Sequence, residues 1–256
     1  MTDALTTASV LNVPIHRLTL EQALDKIDTT IQRRKHLHIG VVNAAKMVNM
    51  RRDQLLREDV LSSDLILADG ASVVWASRVL GDPLPERVAG IDLMYGMLER
   101  SNQHKYRVYC FGANEEISQE VEKQIEHNYP NAIVAGRRNG YFKPEEEAAI
   151  AEDIANAKPD ILFVAITSPK KENFMAKWGK KMNVPIVHGV GGSFDVMAGK
   201  VQRAPEIWQR LGLEWFYRMK QEPGRLWKRY LTTNTIFCWM VIKALFSRKT
   251  TAGSGS

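Results

Sequence analysis

Two polar residues stand just past apolar, strand-like runs within the first seventy positions. Asn43 follows His38-Ile39-Gly40-Val41-Val42, and Asp69 follows Asp64-Leu65-Ile66-Leu67-Ala68. Strands of an open α/β sheet end at the crevice where ligands bind. A carboxylate there can take a proton from a substrate hydroxyl, and a neighbouring amide can orient it. Asp and Asn are also preferred helix N-caps, and helical patterns follow both residues, so capping stands beside chemistry as a reading of the pair.

Three more clusters occupy similar positions. Arg87 and Asp92 bracket Val88-Ala89-Gly90-Ile91 ahead of a helical pattern, a loop able to bring a guanidinium and backbone amides to an anion, although Arg87 could equally pair with a surface carboxylate. Phe163-Val164-Ala165-Ile166-Thr167-Ser168-Pro169 leads into a helix that opens with Lys170 and Lys171. Lysines in a first turn oppose the helix dipole, which points either to a nearby anion or to plain solvent exposure. After the strand-like run at 185–190 comes Gly191-Gly192-Ser193-Phe194-Asp195, a glycine-rich turn that could hold a diphosphate on backbone amides.

Absent motifs narrow the chemistry. The chain has no G-x-G-x-x-G after its first strand, no G-x-x-x-x-G-K-[S/T] and no G-x-S-x-G, which lowers dinucleotide redox chemistry, P-loop phosphoryl transfer and serine hydrolysis. Its six histidines include no pair at metal-binding spacing, so His188 reads as a core or substrate-contact residue. Cys110 and Cys238 have no thiol or histidine company, as expected of free thiols in a reducing compartment.

These residues need a scaffold, and the chain's rhythm supplies one. Strand-like runs at 38–42, 64–68, 107–111, 132–135, 160–166 and 185–190 alternate with helical patterns at 44–61, 71–80, 91–103, 114–128, 144–157 and 170–182. That alternation predicts an α/β fold with a largely parallel, Rossmann-like sheet over residues 1–200. The polar start Met1-Thr2-Asp3-Ala4 lacks the features of a signal peptide and suggests cytoplasmic residence.

Past residue 200 the composition changes. Residues 201–249 hold ten of the chain's basic residues against three acidic ones, so they carry more than the whole net charge of +6. A basic segment implies an anionic partner: nucleic acid, phosphate groups or a membrane surface. Pro223-Gly224 divides the segment into at least two helices. The apolar run Ile236–Phe246 is too short to cross a bilayer, but with Trp, Phe and flanking Lys and Arg it suits an in-plane interfacial helix. The alternative is a terminal helix packed on the core or on a second subunit, and homo-oligomerisation stays open. Residues 250–256 read as an unstructured tail.

The ordered motifs Asn43-Ala44, Asp69-Gly70-Ala71-Ser72, Pro85-Glu86-Arg87-Val88-Ala89-Gly90-Ile91-Asp92, Pro169-Lys170-Lys171-Glu172, Gly191-Gly192-Ser193-Phe194-Asp195, Arg203-Ala204-Pro205 and Gly212-Leu213-Glu214-Trp215-Phe216-Tyr217-Arg218 closely resemble the WecG/TagA/CpsF glycosyltransferases over roughly residues 10–232. The resemblance implies an inverting bacterial enzyme that moves a hexose from a UDP-sugar to a monosaccharide on undecaprenyl diphosphate, at the cytoplasmic face of the inner membrane. It implies a helical C-terminal appendage that closes over the site. Asp69 would be the general base, with Asn43 beside it. Arg218, Arg225 and Lys228 would hold the diphosphate, and Arg87, Asp92, Lys171, Gly191, Gly192 and Asp195 would complete the substrate-binding set. No Asp-x-Asp motif accompanies them, so metal-independent stabilisation of the leaving group is expected, without a cofactor. Two positions depart from many relatives, which carry Thr at the place of Val41 and Gln at that of Lys171, and both bear on sugar identity. The competing class is a non-enzymatic nucleic-acid or polyanion-binding protein acting through the basic tail. The tail's tryptophans argue instead for lipid or protein contact.

Overall fold

The computed structural model describes residues 5–252, apart from the side chains of Arg210, Arg225, Arg229 and residues 248–252. A two-stranded antiparallel hairpin, β1 (Thr7–Val10) and β2 (Val13–His16), precedes α1 (Leu20–Gln32). A six-stranded parallel sheet follows, built from β3 (Leu37–Val42), β4 (Leu65–Ala68), β5 (Arg107–Gly112), β6 (Ile133–Arg138), β7 (Ile161–Ala165) and β8 (Ile186–Gly189) in the spatial order β4-β3-β8-β7-β5-β6. The strands β3, β4, β7 and β8 are buried along their whole length, which is why they read as unbroken apolar runs rather than alternating ones.

Helices cover both faces. On one lie α1, α5 (Gly90–His104), α6 (Glu115–Asn128) and α9 (Ser193–Met197), whose Ile27, Met94, Val121 and Phe194 meet Ile39, Leu67, Cys110 and Phe163 of the sheet. On the other lie α2 (Ala44–Asn49), α3 (Gln54–Leu61), α4 (Ala71–Val79), α7 (Glu147–Ala157) and α8 (Lys170–Trp178). The helical pattern at 44–61 is two helices rather than one, because Asp53 accepts the Leu56 N–H at 2.9 Å and starts α3 as a new N-cap. All six strands point the same way, so their carboxyl ends share one edge of the sheet.

The C-terminal segment forms α10 (Glu206–Arg210), α11 (Glu214–Gln221) and α12 (Pro223–Ala252), with Pro223 at the first position of α12, where its missing N–H costs nothing. Stacking of Trp208 on Phe216 and the contact of Trp215 with Tyr230 join the three helices. α12 continues to Ala252, three residues into the segment read as a tail; 253–256 lie outside the described residues. Of the two sequence readings of the run at 236–246, packing on the core holds for one of its sides. Phe237, Met240 and Val241 are buried in the core shared with α2 and the hairpin, while Leu231, Trp239 and Phe246 are 63–67% exposed on the other side. Among the described residues no helix is long and apolar enough to cross a membrane.

Candidate active site

Register explains why Asn43 and Asp69 meet. Val42 of β3 lies opposite Ala68 of β4, so the next residue of each chain emerges beside the other. The Asp69 N–H donates to the Val42 carbonyl at 2.9 Å, and the Asn43 side-chain amide donates to Asp69 Oδ2 at 3.2 Å. Asn43 also caps α2, since its Oδ1 accepts the Lys46 N–H at 3.0 Å. Capping therefore holds for Asn43 alongside its contact with Asp69. It fails for Asp69 on its own helix, because Gly70 is the N-cap of α4. The second carboxylate oxygen accepts the N–H of Gly90, first residue of α5, at 2.8 Å. The aspartate thus sits at the positive end of a 15-residue helix, where a negative charge is stabilised.

Gly90 is enclosed by the groups around that carboxylate. A Cβ placed on it would lie 3.6 Å from Val41 Cγ2 and 3.8 Å from both Asp69 Oδ1 and His188 Nε2. His188 is buried, and its Nε2 lies 3.1 Å from the Gly90 carbonyl; because a carbonyl only accepts, this nitrogen carries the hydrogen. Burial drives the imidazole down to about 4 despite that carbonyl, so His188 is neutral at pH 7 and serves to position the start of α5.

Below the ends of β3 and β8, on the α2 and α8 side, lies a trio of charges, two of them buried and Lys46 partly so. Glu172 Oε1 is 2.8 Å from Lys46 Nζ and 3.6 Å from Lys171 Nζ, and Lys171 and Glu172 are 7% and 3% exposed. Burial pushes the Glu172 carboxyl up, but the two ammonium groups outweigh it and hold the acid down to about 2. Burial, with Lys46 close by, brings Lys171 down to about 8 although Glu172 and Asp69 both favour its charge. Solvent exposure, the plain alternative for this lysine, is thereby excluded.

A second charged cluster ties the C-terminal helices to the site's rim. Arg87 pairs with Glu214 of α11 at 2.5 Å and with Asp92 at 3.4 Å, and Asp92 also binds Arg203. Arg87 and Asp92 are thus brought together, each satisfied by partners of opposite sign. Arg218 and Lys228 are exposed on α11 and α12, apart from the contacts around Asp69, and Lys228 lies over the Trp227 ring. The side chain of Arg225 lies outside the described residues. Gly191 has φ +53°, a left-handed conformation that glycine adopts without strain, and Asp195 Oδ2 lies 3.6 Å from where a Cβ on Gly192 would be.

This edge has an anchored carboxylate, a neutral imidazole and a buried ammonium beside a glycine turn, with the paired Arg87 and Arg203 on its rim, groups suited to deprotonating a hydroxyl and stabilising an anionic leaving group. Residues 8–251 match the Glycosyl transferase WecG/TagA/CpsF family. The chain belongs to this family of glycosyltransferases.

Two relatives carry the same name, N-acetylglucosaminyldiphosphoundecaprenol N-acetyl-beta-D-mannosaminyltransferase. That of Bacillus spizizenii (strain ATCC 23059 / NRRL B-14472 / W23) is 40% identical over 176 residues, 68% of this chain and 67% of its own. That of Bacillus subtilis (strain 168) is 34% identical over 227 residues, 88% of each chain. Membership in a glycosyltransferase family sets aside the non-enzymatic polyanion binder.

The family motifs led to Asn43, Asp69 and Lys171, but not to Lys46, Glu172 or Arg203 as members of the site. Lys46 and Glu172 stand 126 positions apart, and only the tertiary fold brings their side chains together. Glu172→Gln tests that trio. The substitution leaves the buried Lys171 and the partly buried Lys46 without their shared counter-charge and should cost about 3 kcal/mol at pH 7. The folded-state pKa of Glu172 is depressed, so its contribution is complete above the ordinary value of 4.5 and is lost as pH falls toward about 2. Urea unfolding across that range should show an acid limb in the wild type that is reduced in the variant. A wild-type stability curve unaffected by the substitution would remove the trio as a structural element.

Proposed function

We propose that this glycosyltransferase moves a hexose from a UDP-sugar to a monosaccharide linked by diphosphate to undecaprenol, with inversion, at the cytoplasmic face of the bacterial inner membrane. The observation that carries the reading is the fixed carboxylate of Asp69, both of whose oxygens are held by donors at the sheet edge. One base suffices for inversion. As the acceptor hydroxyl attacks the anomeric carbon, its proton passes to Asp69, the bond from that carbon to the UDP oxygen breaks, and the electron pair leaves with UDP. Arg218, Arg225 and Lys228, which belong to the C-terminal helices, are assigned the diphosphate in this reading, and the Gly191-Gly192 turn offers it a close backbone approach. In this reading Arg87 and Asp92 act from the rim, keeping α11 over the crevice through Glu214.

The names of the relatives favour an N-acetylmannosamine-type donor, with glucose as the second choice. The test is a panel of UDP-hexoses offered with a synthetic lipid-diphosphate monosaccharide, with products weighed by mass spectrometry. A single hexose added to the lipid acceptor is expected. Lack of transfer from every UDP-hexose by folded protein, in the presence of anionic vesicles, would overturn the proposal.

A further inference from the structure

We infer that Lys171, held by Glu172, contacts an anionic oxygen of the donor, either on its diphosphate or on a carboxylate of its sugar. The inference rests on the glycosyltransferase reading above and extends it to the part of the substrate that this lysine reads.

The placement of the side chain comes first. Its stem runs across the end of β8, where a Cβ on Gly189 would stand 2.9 Å from both Cδ and Cε, so only a residue without a side chain leaves it this path. The ammonium emerges 3.6 Å from the Cβ position of Gly191, in the turn that ends β8 at the shared edge of the sheet. A lysine that served only to neutralise Glu172 would not need a passage to that turn.

Charge balance gives the second, independent reason. Glu172 is closer to Lys46 than to Lys171, and a separation of 3.6 Å is too long for a good hydrogen bond. Two ammonium groups share one carboxylate, so the trio by itself has a net positive charge and draws on Asp69 for its balance. The groups facing Lys171 are Lys46 from α2, Asp69 beyond β4, Glu172 on its own helix and the neutral His188 from β8. Asp69 is the remaining negative group, and it loses its charge when it accepts the hydroxyl proton. An anionic donor oxygen restores the balance at that moment, and more strongly as UDP takes up the electron pair of the broken bond. Glutamine in this place, as in many relatives under the resemblance, could hydrogen-bond a donor but could not provide the charge.

The experiment titrates UDP, UDP-glucose and UDP-glucuronic acid into the full chain and into Lys171→Gln and Lys171→Met, with thermal melts to verify folding. If the lysine meets the diphosphate, both variants bind all three ligands about 10- to 100-fold more weakly. If it meets a sugar carboxylate, only UDP-glucuronic acid loses affinity. The wild type should also lose affinity between pH 7 and 9, as the ammonium loses its proton, while the variants stay flat. Unchanged affinity for all three ligands in folded variants overturns the inference and leaves the glycosyltransferase reading intact. A wild type with no pH dependence over that range, measured without any substitution, overturns it as well. Wild-type protein that binds none of the uridine nucleotides would overturn both.

Discussion

Asp69→Asn is expected to reduce sugar transfer by a factor of about 10²–10⁴ while leaving the protein folded and able to bind UDP. The size follows from removing the proton acceptor at a site where, among the described residues, no other carboxylate accepts from the Asn43 and Gly90 donors. Retention of the fold follows from the hydrogen bonds. The new side chain keeps one acceptor, enough for the Gly90 N–H now bound at 2.8 Å. It presents an amide where Asn43 also presents one, so the 3.2 Å contact is lost, at about 1 kcal/mol for one partly buried bond. Asp69→Ala should match its activity but melt lower, since Gly90 then loses its acceptor too. Turnover on a lipid-linked acceptor, UDP binding and thermal melts would be measured on both. Wild-type turnover by either variant would dismiss Asp69 as the base; equal loss of turnover and UDP binding would make it a donor-binding group instead.

The residues of this site were legible in the sequence to the extent that they are local. Asn43 and Asp69 could be found because buried parallel strands read as apolar runs whose ends are easily marked. Their meeting needed the register of β3 on β4, which follows only from the tertiary structure. The trio of Lys46, Lys171 and Glu172 depends on side chains of α2 and α8 reaching each other across the fold, and no spacing encodes that. The amino-terminal hairpin is silent for a different reason. Its two-residue turn places Leu11 and Asn12 at φ +52° and +62°, a conformation usually announced by Asn-Gly or Asp-Gly, and Leu11-Asn12 is neither. The start of α1 did carry a signal, Thr19 with Gln22 in a reciprocal capping box, within a stretch too close to the short hairpin strands to stand out. At α12 the apolar run could not tell which residues meet the core, because apolar residues occupy opposite sides of one helix: Phe237 and Val241 serve the core, Trp239 and Phe246 do not.

That two-sided helix decides how membrane attachment must be tested. Deleting the chain from about residue 205 would remove Phe237, Met240 and Val241 from the core around α2, so loss of vesicle binding would report unfolding as readily as attachment. The double substitution Trp239→Glu and Phe246→Glu avoids this, because both side chains are about two-thirds exposed and can change with little cost to stability. Each aromatic group contributes up to about 1.5–3 kcal/mol when its apolar surface leaves water. Each new carboxylate is in addition repelled by anionic headgroups, on the order of 1 kcal/mol apiece. Even with half of the apolar gain realised, the variant should bind anionic vesicles at least about 100-fold more weakly than the wild type, with an unchanged melt. Phe237→Asp supplies the contrast: it puts a charge into the core and should lower the melting temperature. If the exposed face is the lipid contact, the double variant should also fail on an acceptor embedded in vesicles while still transferring to a short, water-soluble diphosphate acceptor. Vesicle binding equal to that of the wild type would show that the exposed side of α12 is not the membrane contact, and would leave the basic residues of α11 and α12 to the diphosphate alone.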